Sequence, residues 1–409
     1  HCTVCHKCHN PCPVNIDFGD VSMRMRKILK QRGQKHFNIG SWAAMLFLNV
    51  KQPGTIRALR VGMAQLGFAG INNAHALAKR TGLLGRGNRV PPSTTGHTAV
   101  SQQLVNLVRK PMRAHVPSKP MRSLLGAEDG TQVVILRDPQ KTTNASDAVF
   151  YFPGCGSERL FTQVGLATLA MLYQSGAKTV LPPGYMCCGY PQSAAGDADK
   201  VHAITTENRV LFHRVANTLN YLDIKTVIVS CGTCMDQLLK YEFNSIFPGC
   251  RLLDIHEYLM EQGISLQGEN NTRYLYHDPC HTPMKSHSPV KVASTLLGQD
   301  VLLSDRCCGE SGTLGTARPD IAEQLRFRKR QELQQDLVQL TGEKVTTPGK
   351  VKLLTSCPAC QQGLSRYTDD TGLETDFIVV ELCNHKLGED WQREFVASAN
   401  HGGIERVFL

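Results

Sequence analysis

PPGYMCCGYPQ occupies residues 182–192 and sets Cys187 and Cys188 side by side before Gly189. Adjacent cysteines cannot easily bridge one another, because the peptide between them is planar and disulfide geometry is strict. The pattern returns as DRCCGES at 305–311, with Cys307, Cys308 and Gly309. A chain that does this twice needs two thiolates on one short loop, twice.

Around these loops the chain repeats itself. The first unit runs VFYFPGC to Cys155, LPPGYMCCG, TVIVSCGTC with Cys231 and Cys234, then LLDIHEYL. The second runs YLYHDPC to Cys280, LLSDRCCG, KLLTSCPAC with Cys357 and Cys360, then FIVVELCNHKL. The offsets are 125 for the first cysteine, 120 for the pair and 126 for the CxxC. Five cysteines in one order at nearly constant offset indicate two fused copies of one domain. Within each copy, short β-branched runs (VFYF, TVLP, TVIVS, LLDI) alternate with helical stretches. After Cys155, the spacing of Phe161, Val164, Leu169 and Leu172 marks one helix face, ending near Gly176. Strand–helix alternation predicts an α/β fold, two tandem Rossmann-like domains with small parallel sheets. Cys155, Cys231, Cys280 and Cys357 follow the strands, so they sit at carboxyl ends, where open α/β sheets place their sites.

Upstream, 14–84 reads as helices and 85–146 as mostly linker, rich in Pro, Ser, Thr and Arg, with one helix at 100–110. The expected organisation is a helical module at 1–84, a linker at 85–146, and cysteine-rich domains at 147–265 and 266–409. Residues 1–122 carry a net charge of +17 and the remainder −7. The basic front suits an acidic partner domain, an anionic lipid surface or simply a solvated helical face. No motif-grade nucleic-acid signal accompanies it, so no nucleic-acid partner is expected. The most apolar piece, SWAAMLFLNV at 41–50, is too short to span a bilayer. With 16 cysteines, 41% apolar residues and no export signal, metal or cluster ligation is a better reading than a secreted disulfide scaffold. A cytoplasmic location, at most against the inner face of a membrane, follows as the expectation. The chain opens on His1 rather than Met, and the expectation is a piece of something longer.

HCTVCHKCHNPCPV reads Cys2-x2-Cys5-x2-Cys8-x3-Cys12-Pro13. This is the bacterial ferredoxin spacing for a [4Fe–4S] cluster, in which the fourth cysteine serves a second cluster. Cys2, Cys5 and Cys8 then need a ligand from elsewhere, and a sister motif is expected upstream. A zinc knuckle would want two separated pairs. His6 and His9 read as loop residues. In each repeat, five soft thiols suit iron and sulfide better than one tetrahedral ion, which needs four. Gly189 and Gly309 let backbone approach such a cluster without a Cβ. Each CxxC opens a helix whose N–H groups favour thiolate charge; a thioredoxin-like dithiol would explain the CxxC alone. Cys250 and Cys383 lie outside the pattern and read as core or surface thiols. His256, His277, His281 and His385 sit near the cysteines, as hydrogen-bond donors to sulfur or as satisfied structural residues. Asp278 and Glu310 are not read as catalytic acids. No GxGxxG, P-loop or Ser/His/Asp constellation is present, so these residues carry no evident flavin site of their own.

The doubled C…CCG…CxxC resembles the CCG domain in the cysteine-rich subunit of heterodisulfide reductase. It also resembles the iron–sulfur subunits of glycolate oxidase, L-lactate oxidation and anaerobic glycerol-3-phosphate dehydrogenase. The arrangement, with YHDPCH at 276–281 and the terminal GGIERVFL, is similar to the C-terminal part of large FAD-linked oxidases of the D-lactate and glycolate dehydrogenase type. The resemblance implies one cluster on Cys155, Cys187, Cys188, Cys231 and Cys234, and another on Cys280, Cys307, Cys308, Cys357 and Cys360, cubane or non-cubane. It also implies electrons arriving from FAD in an upstream flavin-binding domain or subunit and leaving to a quinone or cytochrome. Two rival expectations remain: a heterodisulfide-reductase-like component in which a CCG cluster is the catalytic site, and a zinc or structural cysteine module.

Overall fold

A computed structural model describes residues 2–35, 37–84, 90–91, 99–112, 117, 119–266, 271–310 and 314–409. Among the described residues, ten strands form two sheets. The first holds β1 (Gln132–Leu136), β2 (Ala148–Phe152), β3 (Lys178–Leu181), β4 (Ile224–Val229), β5 (Arg251–Asp254) and β10 (Ile404–Phe408). The second holds β6 (Arg273–His277), β7 (Leu302–Leu303), β8 (Val351–Thr355) and β9 (Glu374–Phe377).

The two sheets obey one plan. In the first, β3-β2-β4-β5 run parallel in that order; in the second, β7-β6-β8-β9 do the same. The runs VFYF, TVIVS and KLLT are apolar without alternation because helices cover both faces of such strands. The expected fold class, small parallel α/β sheets in two cysteine-rich units, is the one observed. Helix Thr162–Gln174, anticipated from its spacing, packs on helix Ile378–Leu387 of the other unit. Cys383 donates there to the Ala167 carbonyl at 3.5 Å, so this buried thiol is a core residue of the seam. One apolar cluster runs through both units, from Val164 and Leu169 to Leu354 and Ile378.

Two features depart from the sequence-based expectation. The stretch expected to be mostly linker supplies β1, whose Val133–Leu136 are fully buried. Its residues 85–89, 92–98, 113–116 and 118 lie outside the described residues; helix Val100–Val108 falls where one was expected. The terminal GGIERVFL does not stay with the second unit either. It forms β10, which pairs antiparallel with β1 from Gln132↔Phe408 to Leu136↔Ile404. Long-range edge pairing of this kind leaves no local periodicity to read. Deleting residues 404–409 therefore weakens the first unit: five residue pairs lose their ladder. At a net ~0.5–1.5 kcal/mol per hydrogen bond, the loss is about 3 kcal/mol. An unchanged urea midpoint for the truncated chain would contradict this.

Of the N-terminal helices, Phe18–Gln31 meets the first unit, where Arg26 donates to the Ala194 carbonyl, and Ile39–Asn49 packs on helix Leu314–Ala317 of the second. Part of the basic front finds its acidic partners within the same chain: Lys30–Asp197 and Lys51–Glu207 at 2.6 Å, and Arg109–Glu323 at 3.8 Å. Arg60, fully buried, donates to the Arg159 and Pro117 carbonyls. No described helix is long and apolar enough to cross a membrane.

Candidate iron–sulfur site

The loops after β2, β3 and β4 bring the first five cysteines together, and the matching loops after β6, β7 and β8 bring together the second five. Cys155 and Cys187 have their sulfurs 4.0 Å apart. Side-chain contacts continue Cys187–Cys188–Cys234–Cys231. In the second unit they run Cys280–Cys307–Cys308–Cys360–Cys357. All ten are free thiols.

Local geometry follows from the sequence at each loop. Gly189 and Gly309 adopt φ of +92° and +80°, a left-handed conformation that turns the chain immediately after each cysteine pair. Cys231 and Cys357 are the N-caps of helices Gly232–Leu238 and Pro358–Ser365, so both CxxC segments do open helices. Buried hydroxyls that cysteine spacing does not flag fix the loops. Tyr241 donates to the Cys188 carbonyl at 2.9 Å, and Tyr367 donates to the Cys308 carbonyl at 3.1 Å. Tyr151 meets Ser230 at 2.9 Å, and Tyr276 meets Ser356 at 3.1 Å. Each pair sits at the repeat offset of 125 or 126, so aligning the copies beyond their cysteines would have found them.

The two quintets adjoin. Cys231 touches Cys357 across the seam. On either side, Gly156 faces the ring of Pro358, and Gly232 faces the His281 carbonyl. Each contact joins a residue after the first cysteine of one unit to the residue after Cys357 or Cys231 of the other, so the seam has approximate two-fold symmetry.

The N-terminal motif docks onto the second quintet. Cys5 touches Cys280. Lys7 pairs with Asp305 at 2.6 Å, and Arg26 donates to the Cys2 carbonyl. His281 is the junction: Nδ1 donates to Asp236 at 2.5 Å, and Nε2 reaches the Val4 carbonyl at 2.7 Å and Tyr190 at 2.9 Å. Cys2 and Cys12 accept backbone N–H groups from Val4 and Ile16, each at 3.3 Å, while Cys8 faces Asp17. Val4 and His6 have φ of 56° and 57°. A β-branched residue held left-handed, at 1% exposure, is backbone strain stored where the loop winds around its cysteines. His6 pairs with Asp17 at 2.5 Å, and Asp17 also caps the first helix. Of the remaining histidines, His256 bonds Asp254 at 2.6 Å and His385 bonds Glu381 at 3.0 Å. Asp278 accepts from Tyr276 at 3.1 Å, and Glu310 pairs with Arg326 at 3.0 Å. Cys250 is half-buried beside β5.

Crowding sets the protonation of these thiols. Hydrogen bonding from Cys155 holds Cys187 well below the usual thiol range; Cys234 does the same for Cys231. Cys280 holds Cys307 down to about 3 and Cys5 to about 5. The donors Cys155 and Cys280 are pushed up, first by those same partners. Fully buried Arg159 adds positive charge beside Cys155 and Cys187 while donating to the Phe47 and Leu48 carbonyls at 2.8 and 2.9 Å. Thiolates prepared in this way bind metal with less proton release.

The donor set fits an iron–sulfur group. It is all sulfur, five per site, unbridged, and at strand ends. A Cβ at Gly154 would lie 2.6 Å from the Cys234 sulfur, so glycine there lets the backbone run close against the thiols. A tetrahedral ion would leave one thiol of each five surplus.

Comparison with known proteins agrees with this arrangement. The cysteine-rich domain (CCG) family matches twice, at residues 149–239 and 274–365, and a domain of unknown function matches 365–409. The chain thus contains two CCG domains. It is similar to a subunit of the fumarate reductase (CoM/CoB) of Methanothermobacter marburgensis, at 27% identity over 60% of this chain and 48% of the relative. It is also similar to the probable glycolate oxidase iron-sulfur subunit of Bacillus subtilis, at 27% over 40% of each chain. Lactate utilization protein A of Geobacillus kaustophilus matches at 23%, over 43% of this chain and 78% of the relative. The chain spans about half the length of the first of these relatives.

Proposed function

We propose that this chain is an iron–sulfur electron relay serving a flavin-dependent 2-hydroxy-acid dehydrogenase of the D-lactate or glycolate type. The observation that carries this reading is the unbroken run of sulfur contacts from Cys5 through the second quintet to Cys357, across to Cys231, and on to Cys155. Clusters bound along it would supply one-electron storage at steps short enough for rapid transfer. In this reading Cys2, Cys5 and Cys8 hold a ferredoxin-type [4Fe–4S] cluster with a fourth ligand from elsewhere, Cys12 serves a sister cluster, and each quintet holds one more. FAD belongs to an upstream domain or subunit, with a quinone or cytochrome as acceptor. The exposed Phe18, Met25 and Trp42 on the basic N-terminal helices support a docking face for that flavin partner or for a membrane surface.

A second reading is favoured by the Cys231–Cys357 contact, which puts both quintets at one seam. There a substrate disulfide would take two electrons and two protons and leave as two thiols.

Anaerobic loading with iron and sulfide tests the first reading. The expected product is brown and holds iron and acid-labile sulfide in near-equal amounts. Cys188→Ser and Cys308→Ser are each expected to lower bound iron by the share of one cluster. Colourless protein with one zinc per quintet and no sulfide would refute it. Reoxidation of the dithionite-reduced protein by a soluble naphthoquinone supports the relay; reoxidation only by an organic disulfide supports the second reading.

A further inference from the structure

The two quintets are alike in thiols but differ in one neighbour. His277 ends β6 and pairs in register with Thr355. At the same place in the first unit, Phe152 ends β2 and pairs with Val229. Phe152 offers no donor atom. His277 is fully buried, and one of its ring nitrogens lies with the sulfurs of Cys308 and Cys360 in a group whose members are all within 4.8 Å of one another.

The hydrogen bonds decide which nitrogen is free to take a metal. Nδ1 stands 3.0 Å from the Ser304 carbonyl, which can only accept, so Nδ1 carries the proton. Nε2 is then a bare lone pair, buried and without a hydrogen-bond partner. Lys329 fixes the far side: its ammonium donates to the Ser304 carbonyl at 3.0 Å, the Ser304 hydroxyl at 2.8 Å and Glu332 at 2.7 Å. That cation, 3.4 Å from Nδ1, opposes a second proton on the ring. A protonated Cys308 could donate to Nε2, but a metal-bound thiolate has no proton to give. A buried lone pair beside metal-bound thiolates is satisfied by metal.

We propose that His277, through Nε2, is a nitrogen ligand of the metal–sulfur group held by the second quintet, so that the two sites differ in one donor. The inference rests on the iron–sulfur reading above. Exchanging a thiolate for a neutral imidazole raises a cluster's reduction potential.

The test uses the full chain, loaded anaerobically with iron and sulfide. Iron and sulfide are measured first; a chain that takes up neither overturns the iron–sulfur reading and this inference together. With iron bound, pulsed electron paramagnetic resonance on reduced protein carrying 15N-histidine is expected to show one strongly coupled nitrogen. This needs no variant. His277→Phe, which copies the first unit, is expected to abolish that coupling and leave the other cluster's signal unchanged. His277→Cys is expected to lower the potential of one cluster only. Iron-loaded protein with no strongly coupled nitrogen, or a His277→Phe spectrum and potential matching the parent, overturns the inference and leaves the iron–sulfur reading standing.

Discussion

Gly232→Ala forces the two cysteine domains apart. Residue 232 opens the helix of the first CxxC, and a Cβ there would fall on the His281 carbonyl oxygen. The obstacle is backbone, held by His281's bonds to Asp236 and Val4, so it cannot swing away as a long side chain would. Overpacking at such a point costs roughly 1–3 kcal/mol, and the upper end is expected with backbone on both sides. The same movement opens the Cys231–Cys357 contact. Thermal or urea unfolding should show the loss, and iron uptake by both quintets should fall. The symmetry-related site supplies the control. A Cβ at Gly156 would lie 3.4 Å from the Pro358 side chain, an ordinary contact, so Gly156→Ala should change stability by less than ~1 kcal/mol. Equal effects from the two substitutions would refute the argument.

Arg122→Met is expected to cost about 3–5 kcal/mol, because it strands a buried charge. Arg122 and Glu158 are both fully buried, with Nε 2.6 Å from Oε1. The second carboxylate oxygen accepts from the Met186 N–H at 3.3 Å, the residue before Cys187. The pair therefore braces the first cysteine loop as well as the core. Burial already pushes the Glu158 carboxyl up despite Arg122 and Arg159 beside it. Without Arg122 it rises further. A carboxyl raised in the folded state destabilises above its folded pKa, and that penalty fades as pH falls toward its unfolded value near ~4.3. The deficit of Arg122→Met relative to the parent should thus shrink on acidification. The double variant Arg122→Met/Glu158→Leu should recover most of the loss, since no charge is left unpaired. A deficit that is independent of pH, and not recovered in the double variant, would sink this account.

The cysteine sites were readable because they depend on short-range facts. A planar peptide between Cys187 and Cys188, a glycine after each pair, and offsets of 125, 120 and 126 all belong to the primary structure. The strands behind them were readable for a similar reason: runs covered on both faces are apolar throughout, and VFYF and TVIVS need no partner to declare themselves. β1 and β10 were not readable. QVVIL sits among polar turns, and its partner lies some 270 residues away, at Gln132↔Phe408. The division into a linker at 85–146 and a second unit at 266–409 does not foresee that pairing.

Two quintets of thiols, each at the ends of parallel strands, were already written along the chain in its composition and repeat spacing. Folding in three dimensions added what no reading of the chain could supply. The quintets meet at Cys231 and Cys357, Cys5 joins them at Cys280, and a ring nitrogen of His277 lies with the sulfurs of Cys308 and Cys360. Those relations are set by the packing of helix Thr162–Gln174 on helix Ile378–Leu387 and by close approach at Gly232. They are distances between residues far apart in the chain, and no local pattern encodes them.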